Sequence, residues 1–321
     1  MRKQSVRPHI AVIIPTYNYV THLTRAIRSA VEQQPAPSQV IVIDDGSTDD
    51  TPRIVQCFSG RVENLRQRRS GPYLACKRGI ERVPHDGYVV FLDSDDRLRP
   101  GYLRAMVDML ARHPRTELAF GQLIHVNRDG RQRLAPALSP QPDAMANFRA
   151  FVRGDIELCA GGGLFARRIF DTWLEQDESV GRIHGFDRVV VALALAYHVP
   201  RWVAAAQVQI HDRPNRLRDD VDAVCATSLH AVDALFDPGL LPPDAMALRD
   251  TFKTQLLLEQ GRLLYRSANY PDAAARYRQA RQVGGLSALG RRHLRRYVIS
   301  TIAAALGRCV RSIRHPRSAH A

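Results

Sequence analysis

The absences in this sequence narrow its class before any motif is read. The longest apolar run free of Gly and Ser is Val189 to Ala196, far below the roughly 20 residues of a membrane-spanning helix. Behind the basic N-terminus (Arg2, Lys3, Arg7) the apolar stretch stops at Pro15, too short for the core of a secretory leader. Cysteines are few and scattered: Cys57, Cys76, Cys159, Cys225 and Cys309 are odd in number and form no Cys-x-x-Cys pair. That argues against a zinc ribbon or a disulfide framework and for a reducing compartment. The Gly-rich phosphate loops are missing too, with neither GxxxxGK[ST] nor a GxGxxG after the first apolar run. Lysine is scarce, at Lys3, Lys77 and Lys253 only.

What remains is globular. Of 321 residues, 45% are apolar and 24% charged, so a folded chain of one large domain, or one with an appendage, is expected. The net charge of +14 is an arginine charge, and it is uneven. Leu286 to Ala321 holds eight arginines and no acidic residue, a tail suited to anionic lipid, nucleic acid or an anionic substrate. Arginines scattered elsewhere need no more than the base composition of the coding DNA.

The first half alternates short apolar runs with amphipathic segments, which predicts βαβ units and a mainly parallel sheet. Strands are expected at Ile10 to Ile14, Val40 to Ile43, Val62 to Leu65, Tyr88 to Leu92, Leu118 to Val126 and Trp202 to Ile210. Helices are expected over about Val20 to Gln33, Tyr73 to Val83, Pro100 to Arg112 and Val189 to His198. Thr48 or Asp49 would cap a further helix. Ala135 to Asp143, with its three prolines, reads as a surface loop. From about Arg216 the strand signal disappears, and Gly261 to Ala280 reads as a helical hairpin.

In open α/β sheets ligands sit beyond the carboxyl ends of the strands. Three polar clusters fall there: Pro15-Thr16-Tyr17-Asn18, Asp44 to Thr51, and Asp93-Ser94-Asp95-Asp96. One such cluster alone is ordinary turn and cap chemistry. Three successive ones converge in space if the sheet is parallel. Carboxylates at Asp93 and Asp95 can hold a divalent cation whose remaining positions take phosphate oxygens, and hard oxygen ligands favour Mg2+ or Mn2+ over zinc. Tyr17 offers a ring to a base, and Asp45 an acceptor for a nucleobase N–H. Gly161-Gly162-Gly163 reads as flexibility near a site or a tight turn.

Val12-Ile13-Ile14-Pro15-Thr16-Tyr17-Asn18, Val40 to Thr51 and Phe91-Leu92-Asp93-Ser94-Asp95-Asp96 resemble the three hallmark blocks of family 2 glycosyltransferases, in the family's order and spacing. The resemblance is strong over 9–112, weaker to about 218 and absent beyond. It implies an α/β GT-A fold with a mainly parallel sheet and flanking helices, a nucleotide-sugar donor, a divalent metal and inversion at the anomeric carbon. It places Pro15, Thr16, Tyr17 and Asp45 in the nucleoside pocket, Asp93 with Ser94 at the ribose or sugar, and Asp95 on the metal. Where the family carries an Arg-Asn pair, Cys76 and Lys77 stand here; Lys77 is either a diphosphate contact or a solvated helix residue.

The resemblance also implies a general base ahead of a helix in the second half. Asp187 fits it, with Phe186 in place of the preceding acid; capping of that helix is the plainer reading. Asp177 and Glu178 are the fallback. His211 is a candidate third metal ligand, with Arg213 or Arg216 on the phosphates, and His184 lies close to the base in sequence. The expected layout is a catalytic unit over 1–215, with a nucleotide-sugar half at 9–112 and an acceptor half at 113–215, then a helical, basic extension over 216–321. The expected partners are a nucleotide-sugar, UDP being the most frequent donor nucleotide of such families, and a glycan or lipid-linked acceptor, met at the cytoplasmic side with peripheral contact to an anionic membrane; nucleic acid is not expected. Two other readings stay open: a sugar nucleotidyltransferase, and a basic helical interaction protein.

Overall fold

The structure, a computed structural model, describes residues 7–175, 186–212 and 221–314. The chain opens as β1 (Ile10–Thr16), α1 (Val20–Val31), β2 (Gln39–Asp44), α2 (Thr51–Gln56), β3 (Glu63–Arg66), α3 (Pro72–Ile80) and β4 (Tyr88–Phe91). It continues through β5 (Arg97–Leu98), α4 (Tyr102–Arg112), β6 (Leu118–Val126), β7 (Gln132–Leu134), α5 (Ala144–Arg153), β8 (Gly163–Ala166), α6 (Asp171–Leu174), α7 (Phe186–Tyr197) and β9 (Arg201–His211). Helices follow: α8 (Val221–Thr227), α9 (His230–Leu235), α10 (Pro243–Met246), α11 (Arg249–Arg266), α12 (Tyr270–Gly284) and α13 (Arg291–Arg314).

Among the described residues, all nine strands share one sheet, in the order β3-β2-β1-β4-β8-β6-β9-β5 with β7 beside β6. β1, β2, β3, β4, β6 and β9 run one way, and β5, β7 and β8 the other. β1, β2 and β4 are apolar at nearly every position because both faces of the sheet are covered. Alternation then sorts the side chains. Ile13, Ile41, Ile43, Val89 and Phe91 join a layer formed by α3, α5, α7, α9 and the first turns of α11. Ile10, Val12, Ile14, Val42 and Val90 join the opposite layer, against α1 and α4. Each such fully buried aliphatic side chain contributes about 1.5–3 kcal/mol. A third, smaller core lies between α11, α12 and α13 around Tyr277, Leu257 and Leu264.

The expected βαβ order, the Leu118–Val126 strand and the helical hairpin are all present. The sequence reading missed β8. Its four residues are too few for a periodic signal, and they begin in the glycine run. That run is a tight turn: Gly162 has φ +104 and accepts a hydrogen bond from the buried Tyr102 hydroxyl at 3.2 Å. Neither expected residue begins α2; Asp49 instead accepts from the Thr51 N–H at 3.0 Å, just inside the helix.

The register of β6 against β9 matters for the site. Gly121 faces Val203 while Gln122 faces Gln207, so residues 204–206 bulge out and the remaining pairs carry His211 to Val126. A Cβ on Gly121 would stand 2.2 Å from the Ala206 carbonyl oxygen, a backbone atom that cannot step aside. Gly121→Ala is therefore expected to lower stability by about 1–3 kcal/mol, read as a drop in thermal midpoint, with none of the acidic residues altered.

Candidate active site

The parallel register lines up the ends of β1 and β2, with Thr16 paired to Asp44, and the two loops beyond are stitched together. The Asn18 N–H donates to Ser47 Oγ at 3.0 Å, and the Thr48 N–H donates to Asn18 Oδ1 at 2.8 Å. Asn18 takes the left-handed conformation, φ +50, which Asn tolerates better than most residues. The Thr16 hydroxyl is buried at this junction without a hydrogen-bond partner.

Asp45 organises the next loop. Its Oδ1 accepts from Gln67 Nε2 at 2.8 Å and from the Ser70 N–H at 2.7 Å, and its Oδ2 accepts from the Gly71 N–H at 2.8 Å. The carboxylate is 4% exposed, so these bonds replace its hydration. Gly46 (φ +79) lets the backbones touch; a Cβ there would meet the Arg69 nitrogen at 2.8 Å. The clamped loop sets the Arg69 guanidinium over the Tyr17 ring, 4.0 Å from its centre. Sequence reading assigned that ring to a base and did not single out Arg69. Treating the end of β3 as a fourth member of the convergent set would have found it.

The turn after β4 carries the acids. Asp93 is exposed, Ser94, Asp95 and Asp96 are buried, and one carboxylate oxygen each of Asp93, Asp95 and Asp96 lies within 4.8 Å of the others. Three hard oxygen donors at that spacing suit a divalent cation such as Mg2+ or Mn2+. Two residues absent from the sequence reading brace this turn. Arg25 Nη2 donates to the Asp95 carbonyl at 2.8 Å, and the Tyr19 hydroxyl stands 3.5 Å from Asp95 Oδ2. Both lie on or just before α1, where a helix periodicity analysis sees only a polar face. His211 reaches the turn through its backbone: its N–H donates to Asp96 Oδ1 at 3.0 Å. Its ring is not in the carboxylate group, where Asp96 stands as the third member. Burial, then the Arg25 charge, pushes the His211 imidazole down to about 4, so it is neutral near pH 7. Lys77, for which a solvated position was one reading, is buried.

Two thiols, the buried Cys76 and the half-buried Cys159, feel the charges of these acids. Burial drives Cys76 well up, and the Asp93 and Asp45 carboxylates push it further. Burial does the same to Cys159, reinforced by Asp187, Asp93 and Asp96. The Asp93 charge acts on both thiols, that of Asp45 on Cys76, and those of Asp96 and Asp187 on Cys159. Asp187 sits in the first turn of α7, half-buried, its carboxylate bonded to backbone N–H groups there. Burial raises its pKa, against the opposing effect of Arg188. Arg188 is itself ion-paired with Glu259 of α11. Asp177, Glu178, His184, Arg213 and Arg216 lie outside the described residues.

Comparison with known proteins bears on the family and the fold. The chain is 34% identical over 126 residues to the succinoglycan biosynthesis protein ExoO of Rhizobium meliloti, covering 39% of this chain and 36% of that one. It is 30% identical over 126 residues to the chondroitin synthase of Escherichia coli, covering 38% and 18%. A putative teichuronic acid biosynthesis glycosyltransferase, TuaG of Bacillus subtilis, is 30% identical over 108 residues, covering 32% and 42%. The matched region thus spans less than half the length of each of these relatives. Among solved structures, S. aureus TarS 1-349 in complex with UDP-GlcNAc superposes with a TM-score of 0.55 at 15% identity, covering 93% of this chain and 92% of that one. GalNAc-T7 with UDP, GalNAc and Mn2+ gives 0.52 at 14% identity, covering 78% and 55%. At such identities the likeness establishes a GT-A type fold. Residues 11–172, which span every described acidic turn except the start of α7, match the profile for glycosyl transferase family 2, and the chain belongs to that family.

Proposed function

We propose that this chain is an inverting glycosyltransferase that moves a sugar from a nucleotide-sugar, a UDP-sugar, to a hydroxyl of a glycan or lipid-linked acceptor in cell-surface polysaccharide synthesis. Peripheral contact with an anionic membrane fits a lipid-linked acceptor; no described helix is long and apolar enough to cross one. The observation that carries the reading is the convergence of the turns after the parallel strands β1, β2 and β4 at one edge of the sheet, where Asp93, Asp95 and Asp96 each bring a carboxylate oxygen within 4.8 Å of the others. The printed names of the relatives support the product class: succinoglycan, chondroitin and teichuronic acid are polysaccharides. TarS and GalNAc-T7, solved with UDP-GlcNAc and with UDP and Mn2+, support the donor class.

Pro15, Thr16, Tyr17 and Asp45 form the nucleoside end in this reading, with Arg69 covering Tyr17. Asp93 and Ser94 hold the ribose or sugar. Asp95, with Asp93 and Asp96 beside it, would hold Mg2+ or Mn2+, which supplies positive charge to the departing diphosphate. Asp187 takes the proton of the acceptor hydroxyl as its oxygen attacks C1 from the face opposite the diphosphate. The C1–O bond to the diphosphate breaks, its electron pair leaves with the nucleoside diphosphate, and the anomeric configuration inverts. A base whose pKa is lifted by burial is better matched to neutral pH than an ordinary Asp.

The direct test is acceptor-dependent release of free nucleoside diphosphate from a panel of nucleotide-sugars, abolished by EDTA and restored by Mn2+ or Mg2+. Release of inorganic pyrophosphate instead would make the chain a nucleotidyltransferase. Asp95→Asn should nearly abolish turnover while leaving the thermal midpoint close to wild type; full activity in that variant would remove Asp95 from the metal site.

Asp187→Asn should reduce kcat by roughly 10²–10⁴ with donor affinity nearly unchanged. In the wild type the base works only when ionised. Because burial raises its pKa, the acidic limb of the kcat profile should lie above the usual Asp value of about 3.9, and it should vanish in Asp187→Asn. An unchanged limb in that variant would point to another group.

Asp45→Ala is expected to have two effects at once. It leaves the Gly71 and Ser70 N–H groups unpaired, costing about 1–3 kcal/mol of stability, and it releases the Arg69 loop, weakening donor binding. Calorimetric titration with the nucleoside diphosphate, alongside thermal melting, reads both.

A further inference from the structure

Helix α13 is amphipathic in an unusual sense: both of its long faces carry apolar side chains. One face packs inward. Ser300 and Ala304 are buried, and the Tyr277 ring of α12 meets Tyr297 at 6.4 Å and His293 at 5.9 Å between ring centres. The opposite face is a stripe with a four-residue step, and it is open to solvent. Leu294 is 42% exposed, Val298 47%, Ile302 55% and Leu306 61%. These account for four of the seven exposed large apolar residues among those described.

The charges around the stripe name its partner. Arg291, Arg292 and Arg295 are exposed on the first turns of the helix, and a three-residue step sets Arg291 beside Leu294 and Arg295 beside Val298. Arg308, Arg311 and Arg314 follow in the same helix, and no acidic residue occurs from Leu286 to Ala321. An apolar stripe flanked by arginine alone matches the boundary of an anionic bilayer, where acyl chains lie beneath acidic headgroups. Nucleic acid offers charge but no apolar layer to this stripe. The helix does not meet the requirement for crossing a membrane.

We propose that α13 lies flat on an anionic membrane surface, with Leu294, Val298, Ile302 and Leu306 inserted at the headgroup boundary while its opposite face stays docked on α12. The helix is then packed on the protein by one face and rests on lipid by the other. The proposal goes beyond the catalytic reading and stands on different residues: α13 packs on α12 and α11, and no stripe residue belongs to the acidic turn or to α7.

The test uses the full chain with sedimented vesicles of phosphatidylcholine alone or with about a third phosphatidylglycerol. Wild type is expected to sediment with the anionic vesicles, weakly with the neutral ones, and less as salt rises. L294E/V298E/I302E should reduce binding to anionic vesicles about tenfold or more, with an unchanged thermal midpoint because all three side chains face solvent. R291E/R295E should abolish the preference for anionic lipid. Equal sedimentation of wild type and the triple variant would overturn the proposal. So would a wild-type dimer, seen by light scattering, that the triple variant converts to a monomer, since a second copy would then own the stripe. Nucleoside diphosphate release from a soluble donor, measured on the same variants, keeps this outcome separate from that of the catalytic reading.

Discussion

Burial of both faces of β1, β2 and β4 is the constraint on which the rest depends. Strands covered on both sides must spend every side chain on packing and every backbone group on the ladder. No position within them is left for chemistry, so polar function is displaced to where the strands stop. Because β3, β2, β1 and β4 run parallel, they stop on the same side. Loops far apart in the chain, around Thr16, Asp45, Arg69 and Asp93, are thereby gathered in a small volume without any one of them needing a distinctive local structure.

The gathered loops are held by polar bonds rather than by apolar packing. Asp45 illustrates the economy of this arrangement: one buried carboxylate satisfies two backbone N–H groups and one amide, and so closes the β3–α3 loop. Asn18, Ser47 and Thr48 do the same between the β1 and β2 loops. The acidic turn differs, because like charges crowd together there. Asp93, Asp95 and Asp96 are tolerated by Arg25 at the Asp95 carbonyl and by the His211 N–H at Asp96. A cation in the same place would relieve that repulsion further.

The helical region after β9 is joined to the candidate site through α7. Phe252 and Leu256 of α11 enter the layer that covers the sheet, and Glu259, one turn on, pairs with Arg188 beside Asp187. The Glu259 charge acts on Asp187 in the same direction as burial, and Arg188 acts against it. The helices thus do more than extend the chain: they fix the helix that carries the proposed base and contribute to its electrostatic setting.

Much of this was legible in the sequence. Continuous apolar runs ending in polar clusters established the βαβ order, and the separate blocks at Pro15, Asp44 and Asp93 identified the family, because strand burial and turn chemistry are local properties. Other features were not local. β8 is four residues long and owes its place to β4 and β6 on either side. Arg25, Tyr19 and Arg69 look like ordinary surface residues until α1 and the β3–α3 loop are packed. Lys77 is buried by the approach of α3 to the sheet, and the outward stripe on α13 is defined only once Tyr277 has claimed the other face. By itself the sequence determined most of the strands and helices, the family and its candidate residues, since these follow from periodicity, residue type and local motif. Only the tertiary structure decided which of those residues meet at one edge of the sheet and which helix face stays bare, because both depend on what packs against what.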